Sequence, residues 1–145
     1  MSDVLSKTLR EIGLQLVKEI ANERNDSEED STVPSDELLL ALHVAFPQTL
    51  QQALDLVDRN SVTKVVSASG RELFQVKGSS GRIYTCLMTS EFCTCPSYTY
   101  YVLMKEEVLM CKHVLAVYVA QNLQNLNERS VSDDDFAKIL TEVND

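Results

Sequence analysis

Two short pairs of metal-ligating residues, separated by 15 residues, constrain this chain more than any other feature. The stretch from residue 93 to residue 113 reads CTCPSYTYYVLMKEEVLMCKH. Its donors are three thiols and one imidazole, from Cys93, Cys95, Cys111 and His113. Zn²⁺ takes such a set tetrahedrally, and a structural site fills all four positions with protein. Because none of the four donors is spare, the sequence predicts one structural zinc ion.

The spacing within each pair predicts a bend in the chain. Residues i and i+2 point to opposite faces of a straight strand, and they lie about 200° apart on a helix. The first pair must therefore bend as it leaves a strand, which Pro96 helps to end. Cys111 is expected just before a helix, with His113 in its first turn. Structural zinc contributes about 10–16 kcal/mol in small modules, so residues 71–125 are expected to lose their fold without it.

Other interpretations of these residues compete with the zinc site. A disulfide across C-x-C would close a small, strained ring. The sequence shows neither a secretory signal nor a long apolar run, so we expect an intracellular protein whose thiols stay reduced. A Cys111–His113 nucleophile pair would leave the first pair unexplained. Cys86 is interpreted as a core residue rather than a fifth ligand, and His43 as a core or boundary histidine.

The organisation of the chain is predicted to be α+β. Its 145 residues, 44% of them apolar, suit one domain with helical extensions. The expected segments are an N-terminal amphipathic helix (1–24), an acidic linker (25–35), a helical segment (36–60), a zinc-finger module (61–126) and a C-terminal helix (130–145).

The zinc-finger module begins where the sequence becomes β-branched. The runs RELFQVK and RIYTCLMTS flank the turn-like GSSG, which predicts a β-hairpin, with VTKVVS as a third strand. YTYYVLM is expected to form a short helix, and residues 112–125 a longer one. Ser132, followed by three aspartates, is a strong N-cap signal for the C-terminal helix.

The net charge of −9 argues against a free-standing nucleic-acid binder, which is usually basic. The segment from Arg71 to His113 differs, because it has five basic and four acidic residues. It carries a charge of +1, and the remainder carries −10. Tyr100 is a candidate for stacking on single-stranded DNA. The candidate phosphate contacts are Arg71, Lys77, Arg82, Lys105 and Lys112.

Three groups of apolar residues are candidates for a protein interface, and one of them is the helix from Leu38 to Phe46. Another is a helical stripe of Leu5, Leu9, Ile12 and Leu16. The third is the aromatic run of Tyr98, Tyr100 and Tyr101, since aromatic residues anchor interfaces well. The stripe is expected either to dock on the chain's own core or to enter a partner's groove. Tyr98 and Tyr101 share a helical face and are also candidates for the core.

The sequence lacks several common catalytic motifs. The sequence lacks the zinc-deaminase pattern H-x-E with P-C-x-x-C. It also lacks H-E-x-x-H, the phosphate-binding GxxxxGK[ST] loop and GxGxxG. We therefore expect a protein that is not an enzyme.

The C-x-C…C-x-H pattern resembles that of the SWIM zinc-finger family. Ala116 extends it to C-K-H-V-L-A, which is similar to the SWIM subunits of Shu complexes over about residues 60–125. A small residue one turn after the ligand would let the helix lie close to the zinc loop.

This resemblance implies a ββα arrangement around one structural zinc. It also implies a nuclear adaptor that pairs with a RecA-like recombinase paralogue. The complex would promote homologous recombination by stabilising recombinase filaments on single-stranded DNA, with no membrane and no small-molecule substrate. Adaptors of ubiquitin ligases are an alternative within the same family.

Overall fold

The computed structural model describes residues 2–26, 34–105 and 109–142, and these form helices around a single sheet. The helices are α1 (Ser2–Asp26), α2 (Asp36–Ala45), α3 (Leu50–Asp58), a π-helix (Tyr98–Met104), α4 (Lys112–Leu123) and α5 (Asp133–Glu142). The strands are β1 (Val62–Ser67), β2 (Glu72–Lys77), β3 (Ile83–Leu87), β4 (Phe92–Cys93) and β5 (Asn127–Val131). The predicted α+β class is confirmed.

The sheet has five strands in the order β4-β3-β2-β1-β5. Strands β1 to β4 pair antiparallel in sequence order, as predicted for the first three. Strand β5 instead pairs parallel with β1. The predicted helix over 130–145 is corrected at its start, because residues 130 and 131 belong to β5 and α5 begins at Asp133. Ser132 accepts a hydrogen bond from the Asp135 amide at 3.1 Å, as an N-cap should.

Alternation along the strands directs side chains to two cores. On one face Val62, Phe74 and Val76 pack against the layer formed by α1 to α4. On the other face Val65 and Leu73 pack against Phe136 of α5. The zinc-ligand stretch belongs to the first and larger core, which places the site between the sheet and the helical layer.

Helix α1 docks on the chain itself. It packs on α2 and α4, burying Val17 and Ile20, and it extends to Asp26, two residues into the predicted linker. Near its other end Leu9 and Ile12 are 44% and 51% exposed. Residues 27–33 of the predicted linker lie outside the described residues, and so does the side chain of Leu5.

The outer faces of the helices carry both polar and apolar residues. His43 is exposed on α2, so its interpretation as a core or boundary residue was wrong. Among the described helices, none combines the length and apolarity needed to cross a bilayer.

Close packing of α1 on α2 depends on a glycine. A Cβ built on Gly13 would lie 2.6 Å from Cζ of Phe46, which is shorter than any normal contact. Phe46 is buried at the end of α2, where its amide donates to the Leu42 carbonyl at 2.8 Å. The absence of a side chain at position 13 therefore lets the Phe46 ring fill the space between the two helices.

We predict that Gly13→Ala lowers the free energy of unfolding by about 1–3 kcal/mol, because overpacking displaces the Phe46 ring. This loss exceeds the gain of up to about 1 kcal/mol in helix propensity. Urea denaturation of the zinc-loaded protein measures the change. Gln15→Ala, at an exposed position of the same helix, is the matched control and should change stability by less than about 0.5 kcal/mol. A Gly13→Ala protein as stable as the parent would contradict this packing argument.

Candidate metal centre

The structure brings the four predicted ligands together. Donor atoms of Cys93, Cys95, Cys111 and His113 all lie within 4.8 Å of one another, and each residue is at most 3% exposed. A four-coordinate zinc with bonds of about 2.0–2.3 Å needs its donors roughly 3.5–3.8 Å apart, so a small contraction completes the site. The residues present therefore fit one structural zinc ion, as the sequence predicts.

The chain bends after β4, as the spacing of the first ligand pair requires. Cys93 is the last residue of β4, and Cys95 follows it before the π-helix. Thr94 between them keeps the strand attached, because its amide donates to the Thr85 carbonyl at 3.1 Å. Its hydroxyl also accepts from the Thr85 amide at 3.0 Å. Cys93 and Cys95 can then both turn towards the ion.

Two helix starts direct amide groups at the thiols. Cys111 is the N-cap of α4, and its sulfur accepts from the Val114 amide at 3.4 Å. The Tyr98 amide, at the start of the π-helix, donates to the Cys95 sulfur at 3.3 Å. N–H groups and helix N-termini favour thiolate over thiol, which helps the site to lose the protons that zinc must displace.

The metal-free cluster shares its protons unevenly. Hydrogen bonding with Cys111 and then Cys93 holds the pKa of Cys95 below its ordinary value, although burial opposes this. The pKa of Cys111 is raised by hydrogen bonding with Cys93 and Cys95 and by burial. The pKa of Cys93 is lowered by Cys111, but Cys86, Cys95 and burial raise it more. Hydrogen bonding among the three sulfurs therefore favours the thiolate form at Cys95 and the thiol form at Cys93 and Cys111.

The imidazole is positioned by its ring neighbours. Nδ1 of His113 lies 3.7 Å from the Cys93 sulfur, which suits two donors on one edge of a tetrahedron. Nε2 is buried without a hydrogen-bond partner in the described part of the chain. The Tyr84 ring packs on the imidazole at 4.4 Å between centroids. Packing against the Tyr84 ring therefore helps to orient this ligand.

The supporting residues lie where the sequence places them. Pro96 is exposed directly after Cys95, where it ends the extended backbone. Ala116 is fully buried in α4, within the core that contains the ligands. A larger side chain at this position would have to displace its neighbours in that core.

The aromatic run divides into buried and exposed parts. Tyr98 is 8% exposed and packs edge-to-face on Phe92 at 5.2 Å, so the prediction of Tyr98 as an interface residue is corrected to a core residue. Tyr100 and Tyr101 are 48% and 42% exposed. The reason is that the segment forms a π-helix, not the α-helix assumed for the facing argument. Leu16, in the predicted helical stripe, is half-buried against the core.

The five basic candidates for DNA contact do not share one surface. Arg71 lies over the Phe136 ring at 5.1 Å, on the α5 face of the sheet. Lys112 is in α4, which covers the opposite face. Arg82 lies over Tyr84, and Lys105 over Tyr100, while Lys77 is exposed at the end of β2. The structure thus distributes these residues instead of gathering them in a groove.

One set of polar contacts near the site has no signal in the sequence. The Tyr118 hydroxyl donates to Glu91 Oε1 at 2.8 Å, and Arg10 pairs with the same carboxylate. Burial and the bond to Glu91 raise the pKa of Tyr118. The three residues join α4, the β3–β4 turn and α1, and only tertiary structure brings such distant positions together.

Known proteins resemble this chain at the site and beyond it. A family profile described as SWIM zinc finger matches residues 84–122. Zinc finger SWIM domain-containing protein 7 of Mus musculus is 45% identical over 128 residues, 88% of this chain and 84% of its own length. The Homo sapiens protein of that name is 42% identical, with 86% and 89% covered. The Danio rerio protein is 41% identical, with 94% and 95% covered. No solved structure gives a significant match.

We predict that Cys95→Ala abolishes stoichiometric zinc binding and unfolds the module, because the site loses one of its four donors. Native mass spectrometry gives the zinc content, and far-ultraviolet circular dichroism gives the fold. Cys86→Ala is the matched control, since it removes a buried thiol outside the ligand set, and it should retain one zinc. One tightly bound zinc in the Cys95→Ala protein would contradict the assignment.

Lowering the pH should weaken zinc binding, because zinc must displace protons from Cys93 and Cys111, whose pKa values are raised in the metal-free cluster. We expect the apparent affinity for zinc to rise with pH over the whole range in which Cys93 and Cys111 are protonated without the metal, with about two protons released per zinc. Isothermal titration calorimetry in buffers of different ionisation enthalpy measures this number. An affinity independent of pH would argue against coordination by thiolates.

Proposed function

The chain belongs to the family of zinc finger SWIM domain-containing protein 7, and from this membership we propose that it is a non-enzymatic adaptor subunit of a Shu-type complex. Its partner would be a RecA-like recombinase paralogue in the nucleus. Together they would promote homologous recombination by assembling or stabilising recombinase filaments on single-stranded DNA. The family resemblance supports the class of partner, and the exposed surface of this chain supports an adaptor role.

The observation that carries the proposal is a set of large apolar side chains left outside the core. The described residues bury two apolar clusters without them. Scattered exposed apolar residues are normal on any protein, but paired ones on a helix are typical of docking surfaces. The exposed residues on helices are Leu9 and Ile12 of α1, Leu40 and Val44 of α2, and Tyr100, Tyr101 and Met104 of the π-helix.

We call Tyr100, Tyr101 and Met104 the tyrosine surface. Its two rings meet edge-to-face with centroids 4.9 Å apart, and Met104 is 70% exposed. The π-helix that carries it begins with the amide bound to Cys95 and with Tyr98 packed in the core. Loss of the metal would therefore disturb this surface directly, which is how a structural zinc could govern partner binding.

Direct binding of single-stranded DNA is the second candidate function. Tyr100 is exposed, and the Lys105 ammonium lies 5.8 Å from its ring centroid, a combination that suits stacking next to a phosphate. The net charge of −9 and the dispersed basic residues favour a protein partner instead. Fluorescence anisotropy with a labelled oligonucleotide across a salt series separates the two. Tight, steeply salt-dependent binding by this chain alone would favour the DNA-binding alternative.

We predict that Tyr100→Ala with Tyr101→Ala lowers the affinity for a co-expressed RecA-like recombinase paralogue by about tenfold or more, because exposed aromatic residues dominate such interfaces. Recovery in a pull-down and the dissociation constant measure the effect, with zinc content checked in each sample. Ile83→Ala is the control, since Ile83 is 56% exposed on β3. A second pair, Leu9→Ala with Ile12→Ala, tests α1 in the same way. Unchanged affinity in both pairs would rule out these two surfaces.

A further inference from the structure

The zinc site leaves one of the chain's four cysteines unused, and that cysteine lies opposite a ligand. Cys86 in β3 and Cys93 in β4 are direct partners in the antiparallel ladder. Directly opposed side chains project from the same face of a sheet. Both residues are buried, with exposures of 0% and 1%. A free thiol therefore stands beside a thiol that holds the metal.

The backbone pattern shows which kind of pair this is. The next pair along the ladder is hydrogen-bonded, because the Thr94 amide donates to the Thr85 carbonyl. Hydrogen-bonded and non-hydrogen-bonded pairs alternate in an antiparallel ladder, so Cys86 and Cys93 form a non-hydrogen-bonded pair. Cα atoms of such pairs lie about 4.5 Å apart, which is within the range of about 4.4–6.8 Å for disulfides. A bridge between the two sulfurs needs little backbone movement.

A surface cavity reaches one member of this pair. Cys93 lines a surface cavity of about 380 Å³, together with Thr94 of the ligand stretch and Thr99 of the π-helix. A cavity of this size admits water-sized molecules. Cys86 does not line the cavity, so Cys93 is the member of the pair nearer to this opening.

We propose that Cys86 and Cys93 form a thiol-oxidation site, in which hydrogen peroxide converts the pair to a disulfide and thereby removes one of the zinc ligands. Cys93 is the thiol that peroxide oxidises first, and Cys86 is the resolving thiol. Cys95 and Cys111 are ligands themselves, whereas Cys86 is free to resolve while the metal is bound. The site makes metal retention, and the fold that depends on it, sensitive to peroxide.

The chemistry balances in two steps. The Cys93 sulfur attacks one peroxide oxygen, the O–O bond breaks, and a sulfenic acid forms with release of one water. The Cys86 sulfur then attacks the Cys93 sulfur, the S–O bond breaks, and a second water leaves as the disulfide forms. Two thiols and one peroxide give one disulfide and two waters, with two electrons passing from sulfur to oxygen. When Cys93 begins as a thiolate, the same sum takes one proton from solvent.

Zinc-loaded full-length protein treated with hydrogen peroxide tests the proposal. A chromogenic chelator follows zinc release, and mass spectrometry of alkylated peptides maps the bridges. We expect a Cys86–Cys93 disulfide to be the main early product, and dithiothreitol with added zinc to restore binding. In Cys86→Ala we expect Cys93 to proceed to sulfinic acid, so that less than about half of the zinc binding returns after reduction.

Two results would overturn the proposal. One is a map in which bridges join only Cys93, Cys95 and Cys111. The other is a Cys86→Ala protein that recovers zinc as fully as the parent after the same treatment. If Cys86→Ala folds poorly, the disulfides mapped in the parent protein are sufficient to test the proposal.

Discussion

Burial of three thiols and an imidazole at one point is the constraint on which the rest of the structure depends. Without a cation, these groups crowd one another in the core and hold their protons unequally. With Zn²⁺, they become the strongest link between the sheet and the helical layer. The energy of about 10–16 kcal/mol typical of such sites is comparable to the whole stability of a domain. The regular secondary structure around the ion can therefore be short, and β4 is only two residues long.

The donors of the site could be predicted from the sequence because they are local. The motifs C-x-C and C-x-H predict both the ligand set and the bends of the chain at each pair. The structure places Cys111 at the N-cap of α4, as the spacing requires. Their surroundings could not be predicted. Tyr84 over the imidazole and Thr94 in the ladder depend on strand register, which short-range patterns do not determine.

The elements that were missed lack the patterns on which prediction relies. Strand β5 reads NERSV and is exposed along nearly its whole length, so no alternation of apolar residues marks it. The π-helix has the composition of an α-helix but a different angular spacing, which moved Tyr98 into the core and left Tyr101 outside. The stripe on α1 was readable as an apolar face. The other helices cover this face only partly, and Leu9 and Ile12 stay exposed. The extent of the cover depends on where α2 ends.

The parallel pairing of β5 with β1 has a consequence for the order in which the molecule can be built. A long segment of the chain separates these two strands, and it includes the hairpin, the metal ligands and α4. As the chain leaves the ribosome, β1 must wait with one edge unpaired until residues 127–131 emerge. Asp133, which accepts hydrogen bonds from the amide and hydroxyl of Ser69, then attaches α5 across the end of β1. Completion of the sheet is thus a late step of biogenesis. A chain shortened before β5 would keep an unpaired strand edge, which could pair with other chains and aggregate.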